Sequence, residues 1–223
     1  MDLLAQHQLL PTGPVDHANW NYLPVIGVIQ RLRFRLIARL MEGRRFESLL
    51  EIGYGSGIFM PELARHAQRL AGVDIHARHV EVAEVLATNG LAADLRSASM
   101  TGTPFADSTF DCAVAISTME FVDDIDRACA EIRRVLKPGG QFFVVTPSTS
   151  PLLDFGLWVL TRQSAKNDFA GRRERVIPAL EKHFAIGGEI RTLLYRALKL
   201  VRPAGLRGDQ SIRQAESVLS VRT

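Results

Sequence analysis

Residues 49–67 read LLEIGYGSGIFMPELARHA: an apolar run, three glycines alternating with Tyr54 and Ser56, and then a helical pattern. A strand that runs through a glycine-rich turn into a helix is the junction at which α/β folds hold ligands. Glycine adopts backbone conformations closed to other residues and lets a ligand lie against the chain. The turn alone does not name the ligand, because dinucleotide, phosphate and nucleoside sites all use one. The residues that follow remove two of these. A GxGxxG series begun at Gly53 puts its third glycine at position 58, where Ile58 stands, so a dinucleotide is disfavoured. A phosphate loop needs Gly-Lys-Ser/Thr after the turn, and Ile58, Phe59 and Met60 supply neither ammonium nor hydroxyl. A nucleoside without a pyrophosphate remains. Asp74, at the end of the next predicted strand, suits two vicinal ribose hydroxyls, although an acid ahead of a helical run is also a common N-cap.

Outward from the turn, the pattern alternates. Short strands are predicted at 47–52, 71–75, 93–98, 110–116 and 141–147, with helical patterns at 60–70, 80–89 and 125–136 between them. Lys137-Pro138-Gly139-Gly140 is a helix stop before the last of these strands. Strands alternating with helices of about ten residues imply parallel strands and a doubly wound α/β sheet. Upstream, Val25, Ile29, Leu32, Leu36 and Leu40 recur at helical spacing with Arg31, Arg35 and Arg39 on another face, which predicts an amphipathic N-terminal helix. Residues 148–182 break the rhythm and read as a helical lid insertion, and 183–203 as two strand-like stretches closing on each other. The expected organisation is a helical cap over 1–44, a main domain over 45–203 and a polar tail over 204–223.

Composition bounds the rest. A chain of 223 residues, 47% hydrophobic and 23% charged, can bury a full core. Cys112 and Cys129 offer no disulfide framework, and MDLLAQHQLL has no basic leader region, so an intracellular, cytoplasmic protein is expected. The net charge of +3 is uneven. Residues 46–150 hold 8 Lys/Arg against 14 Asp/Glu, whereas 31–45 hold 6 Arg against Glu42 alone and 162–207 hold 11 Lys/Arg against 4 acids. Such flanks attract anionic partners, although most charge runs are solvated faces.

EIGYGSG (51–57), VDI (73–75), TPFADSTFDCAVAISTMEFVDD (103–124) and EIRRVLKPGGQFFVVTP (131–147), taken in that order, resemble class I S-adenosylmethionine-dependent methyltransferases of the small-molecule type found among quinone and lipid methylating enzymes. The likeness covers roughly residues 45–150. It implies a seven-stranded Rossmann-like sheet with a reversed final hairpin, and S-adenosylmethionine as cofactor with S-adenosylhomocysteine as product. By the same resemblance Gly53, Gly55 and Gly57, with Tyr54 among them, border the methionine part of the cofactor and Glu51 lies near its amino group. Asp74 would hold the ribose, Ile75 would pack on the adenine, and Ala115 and Ile116 would lie beneath the cofactor. Ser99 and Met100 stand where the family often has an acid and a small residue facing the adenine amine, which is a departure from its pattern.

Methyl transfer from a sulfonium is an in-line displacement in which alignment supplies most of the acceleration, so a general base is optional. Glu120 follows the fourth strand, where quinone-type relatives carry Glu-His and this chain has Phe121; it is the one candidate proton acceptor, against the ordinary expectation of an exposed loop acid. His66, His76, His79 and His183 are scattered, so no metal site is expected, and His76 and His79 read as a solvated helix start. Cys112, inside an apolar strand, reads as core packing. The expected acceptor is a small or lipid-like molecule. The cationic helix at 25–41 and the apolar stretch 152–160 suggest contact with an anionic membrane surface. RNA or protein as acceptor, or a cofactor-binding scaffold without turnover, are the alternatives.

Overall fold

The structure is a computed structural model that describes residues 1–13, 16–148 and 172–204. Seven strands form one sheet: β1 (Phe46–Ile52), β2 (Ala67–Asp74), β3 (Ala93–Ser97), β4 (Phe110–Ile116), β5 (Leu136–Pro147), β6 (Ala185–Arg191) and β7 (Tyr195–Val201). Their order across the sheet is β3-β2-β1-β4-β5-β7-β6. β1 to β5 are parallel, and β7 pairs antiparallel to both β5 and β6, so the reversed final hairpin is present. The order reverses between β1 and β4, and ligands of open α/β sheets bind beyond the strand ends at such a point.

Among the described residues five α-helices cover the sheet: α1 (Ile26–Met41), α2 (Met60–Ala64), α3 (His79–Thr88), α4 (Ile125–Val135) and α5 (Arg172–His183). Strand periodicity divides the core. Cys112, Val114, Phe143, Val145 and Ala197 face α1 and α3, whose Phe34, Ile37, Val82 and Leu86 are buried against that side. The alternate residues Ala113, Ala115, Phe142, Val144 and Leu198 face α4 and α5, packing on Ile132, Val135, Val176 and Leu180. Cys112 is fully buried in this core, as its apolar neighbours implied. Glu131 and Arg134 on α4 pin the loop before β4. Glu131 accepts from the Thr103 amide at 2.7 Å, and Arg134 donates to the Phe105 carbonyl at 2.7 Å.

Three local expectations change. The helix predicted over 60–70 is only the five residues of α2, because β2 begins at Ala67 and pairs with β1 from Phe46↔Ala67 onward. Strand pairing that extends a central sheet outweighs the weak helical pattern of 65–70. Lys137–Gly140 do end α4, but they form an irregularity inside β5, across which the pairing with β4 jumps from Phe110↔Leu136 to Cys112↔Gln141. The buried stripe of α1 is Gly27, Phe34, Ile37 and Met41 together with Leu36, and Val25 is 69% exposed. That rotation turns Arg33 toward the protein interior, where its Nε is buried, and Arg31 donates to the Asn21 carbonyl, so the expected cationic face keeps Arg35 and Arg39 as its exposed members.

Residues 1–13 and 16–22 run across the β1–α2 turn. The Leu4 amide donates to the Ile58 carbonyl at 3.1 Å, the Asp2 amide to Glu62 Oε2 at 2.7 Å, and Arg78 to the Pro11 carbonyl at 2.8 Å. Leu4 is buried, so this segment is a strap packed into the core. Residues 149–171 of the expected lid and 205–223 of the expected tail lie outside the described residues, and the helical end of the lid is α5. Among the described residues no helix is long and apolar enough to cross a membrane.

Candidate functional site

At the carboxyl end of β1 the chain turns with φ of +72° at Gly53, +51° at Gly55 and +72° at Gly57. Gly53 admits no substitute on two counts. Its φ lies in the left-handed region, and a Cβ would stand 2.3 Å from Thr118 Cγ2, on the loop that leaves β4. The β1 and β4 exits therefore meet backbone against side chain at the switch point. Gly72 serves the same end from beneath, since a Cβ there would come 2.7 Å from the Tyr54 ring.

Asp74 closes the turn from β2. Its Oδ2 accepts from the Gly55 amide at 2.8 Å and its Oδ1 from the His76 amide at 3.3 Å. It does not cap α3, which begins at His79 with Arg78 at its N-cap. Each carboxylate oxygen keeps a lone pair for a further donor. His76, expected in a solvated helix start, is instead part of the turn. The Arg78 amide donates to Nδ1 at 3.1 Å, which leaves Nε2–H to donate to the Gly55 carbonyl at 3.0 Å. Its ring stands edge-on to Tyr54 at 5.0 Å. Asp74 and His76 thus hold the two polar groups of one peptide residue. The sequence signal that finds His76 is its place two residues after the strand-end acid.

Glu51 lies one residue before the end of β1, is 4% exposed, and its Oε2 has no hydrogen-bond partner among the described residues. Burial, and then the Asp74 charge, push its carboxyl well above the usual range. A buried acid with an open oxygen beside a second acid is a place for a cationic group. Ile75 is 78% exposed immediately after Asp74, an apolar side chain without cover beside the turn. Ser99, exposed, shares its hydroxyl with Thr101, and the half-buried Met100 packs against the α4 side of the core. Ala115 and Ile116 are buried at the end of β4.

Glu120 departs most from expectation. The acid expected on an exposed loop is fully buried, in a one-turn 3-10 helix (Met119–Phe121) after β4, and neither carboxylate oxygen has a hydrogen-bond partner among the described residues. Burial pushes its carboxyl up to about 7, against the lowering pull first of its own backbone N–H and then of Arg33 and Arg173. Arg33 comes from α1 and Arg173 from α5, where Arg173 donates to the Ser148 carbonyl. No group of three His, Cys, Asp or Glu side chains able to hold a metal occurs among the described residues.

Residues 50–144, which hold this turn and the β4 exit, match the family described as "Methyltransferase domain". That stretch of the chain is similar to the methyltransferase family. The chain resembles a sterol 4-C-methyltransferase of Caenorhabditis elegans, 37% identical over 111 residues that make up 48% of this chain and 33% of that protein. It also resembles a ubiquinone biosynthesis O-methyltransferase of Brucella ovis, 32% identical over 55% of this chain and 48% of that protein. The chain spans less than half the length of these relatives. Among solved structures, the N-methyltransferase NodS of Bradyrhizobium japonicum, in complex with S-adenosylhomocysteine, superposes with a TM-score of 0.61 at 17% identity, over 86% of this chain and 95% of that one. The [4+2]-cyclase SpnF superposes at 0.65 and 19% identity, over 83% and 84%. At these identities the structures speak for the fold. The fold hosts more than one chemistry, so the acceptor has to be argued from the site.

Proposed function

We propose that this protein transfers the methyl group of S-adenosylmethionine to a small, lipid-like acceptor. The observation that carries the cofactor half is the pair of acids flanking the glycine turn: Glu51, buried with an open oxygen, and Asp74, aligned by the Gly55 and His76 amides. The cofactor's ammonium group fits the first, and its ribose hydroxyls fit the remaining lone pairs of the second. Gly53, Tyr54, Gly55 and Gly57 would border its methionine part, Ile75 would cover the adenine, Ser99 and Met100 would line the adenine edge, and Ala115 and Ile116 would form the floor. Bound there, the sulfonium supplies an activated methyl group, and the chain's own task is to hold an acceptor atom in line with it and to keep water out.

Likeness to the sterol and ubiquinone enzymes supports the lipid-like acceptor. A peripheral contact with an anionic membrane is supported by exposed Arg35 and Arg39 and by Val25 and Val28 near the start of α1, a smaller cationic face than the sequence suggested. Replacing Arg35 and Arg39 with Gln should weaken binding to phosphatidylserine vesicles; unchanged binding removes the membrane contact. The cofactor assignment is tested by calorimetric titration with S-adenosylmethionine and S-adenosylhomocysteine. Wild-type protein should bind both, and Asp74→Ala should bind at least about 30-fold more weakly, the loss of two charge-assisted hydrogen bonds. Folded wild-type protein that binds neither overturns the assignment.

A further inference from the structure

Two charged groups have no use in the cofactor site: Glu120, which is fully buried, and Arg33, which is half-buried with its Nε withdrawn from solvent. Among the described residues Glu120 has no hydrogen-bond partner for either oxygen, and the Nε of Arg33 is buried without one. They lie close enough for Arg33 to pull on the Glu120 carboxyl, yet no nitrogen–oxygen contact within the 4.0 Å of an ion pair joins them. Opposite charges withdrawn from water normally close on each other, because desolvation is repaid only by direct contact. This pair is held apart by its scaffold. Arg33 is fixed on α1 between buried Phe34 and half-buried Leu32, with its guanidinium carbon 4.9 Å from the Phe34 ring centre, and Glu120 is fixed on a rigid turn whose backbone carbonyl accepts from Arg172 at 3.2 Å. Tyr195, at the start of β7, is the third ionisable group in the same corner, and burial raises its hydroxyl above the ordinary value. The corner lies beyond the carboxyl end of β4, one strand over from the glycine turn, and Thr118 touches Gly53 only two residues before Glu120.

We infer that this corner is the acceptor subsite, and that it takes a weakly acidic hydroxyl of the phenol or enol class, whose proton points at Glu120 and whose oxygen faces Arg33. The inference rests on the methyltransferase reading above. A hydroxyl is the smallest group that satisfies both partners at once, donating to the carboxylate while its lone pairs meet the guanidinium. A cationic amine would face Arg33 with like charge, and a hydrocarbon would leave the buried Glu120 unpaired. In the reaction the acceptor's O–H bond breaks and its proton passes to a Glu120 oxygen. An oxygen lone pair then forms the new C–O bond while the sulfonium C–S bond breaks, its electron pair going to sulfur. Arg33 lowers the cost of the developing oxyanion, and Glu120 ends as the neutral acid, a form its burial favours. The groups facing Glu120 are Arg33 from α1, Arg173 from α5 and Tyr195 from β7, so the corner holds two fixed positive charges against one titrating acid.

The test uses 4-nitrophenol, whose phenolate is coloured, and 4-nitroanisole, which has the same ring but no hydroxyl, titrated into protein saturated with S-adenosylhomocysteine. Wild-type protein should bind the phenol at least about 10-fold more tightly than the ether and increase its phenolate fraction. Arg33→Met should lose both effects, and Arg33→Lys should recover part of them. Glu120→Gln should keep or raise phenolate binding, because the neighbouring negative charge is gone, and should lower methyl transfer to phenolic acceptors by about 100-fold or more. All three variants should bind S-adenosylhomocysteine within about twofold of wild type, which separates a subsite role from a damaged fold. Equal binding of phenol and ether by wild-type protein, or an Arg33→Met variant that binds the phenolate like wild type, overturns the subsite. Failure of wild-type protein to bind S-adenosylhomocysteine at all is a failure of the parent reading.

Discussion

Asp74 and Glu120 are both acids in segments that leave the carboxyl ends of neighbouring strands, and they are built in opposite ways. Asp74 is half-exposed and held by two backbone amides, Gly55 at 2.8 Å and His76 at 3.3 Å, so its geometry comes from a local turn and no burial is needed to fix it. Glu120 is fully buried, is held by no other residue's amide among the described residues, and is surrounded by groups from three distant elements. The first arrangement aims a carboxylate, as recognition of hydroxyls requires. The second leaves a carboxyl near neutrality, as a proton acceptor requires.

The contrast breaks most readily at the turn itself. Gly53→Ala should cost about 3 kcal/mol or more, combining a left-handed backbone with overpacking against Thr118. Adding Thr118→Ala should return part of that loss, by relieving the 2.3 Å contact but not the backbone strain. Chemical denaturation of the single and double variants reads both. A Gly53→Ala protein as stable as wild type would mean that the turn is not as tight as described.

The Glu120 side of the contrast has a pH signature. Burial raises its carboxyl from the ordinary 4.5 to about 7, so the folded protein binds a proton that the unfolded chain releases between those values. Stability attributable to this group is therefore fully present below the lower value, falls as pH rises through the interval, and stays low above the upper one. Glu120→Gln removes the dependence. The variant should gain on the order of 3 kcal/mol over wild type at pH 8 and almost nothing at pH 4, read from urea midpoints at the two pH values. A constant difference across that range would show that Glu120 is not held near neutrality. Asp74→Asn should behave oppositely, changing stability by less than about 1 kcal/mol at either pH while weakening cofactor binding by about 10-fold or more.

His76→Ala sharpens the same comparison at smaller cost. It removes the bond to the Gly55 carbonyl and the edge contact with Tyr54, and should lose about 1–2 kcal/mol with a few-fold weaker cofactor binding. His76→Gln, which can still donate to that carbonyl, should lose less.

The same two acids mark how far the sequence could be read. The Asp74 region was legible because its determinants are local or periodic: an apolar strand, glycines at the turn, an acid at the next strand's end, and an alternation that predicts parallel order. The Glu120 corner was not, since its burial depends on α1 and α5 arriving from 87 residues upstream and 53 downstream, as the numbering of Arg33 and Arg173 shows. The α1 face misread for a related reason. Leu32 and Leu40 fit a helical stripe as well as Phe34, Ile37 and Met41 do, and only packing against β5 and β7 selects the second set and turns Arg33 inward. Residues 67–70 joined β2 through pairing with β1, a partner that no local pattern reveals.

The strap formed by residues 1–13 and 16–22 carries a last consequence, which concerns time. Its Leu4 amide is bonded to Ile58, just past the glycine turn, and Thr12 and Asp16 come within 3.8 Å of where a Gly55 Cβ would stand. A ligand seated on that turn lies behind the strap, so its departure is expected to wait for the strap to peel back. Residence time and affinity then become separately adjustable. Leu4→Ala should speed S-adenosylhomocysteine dissociation several-fold in a stopped-flow chase, while the association rate rises with it and Kd barely moves.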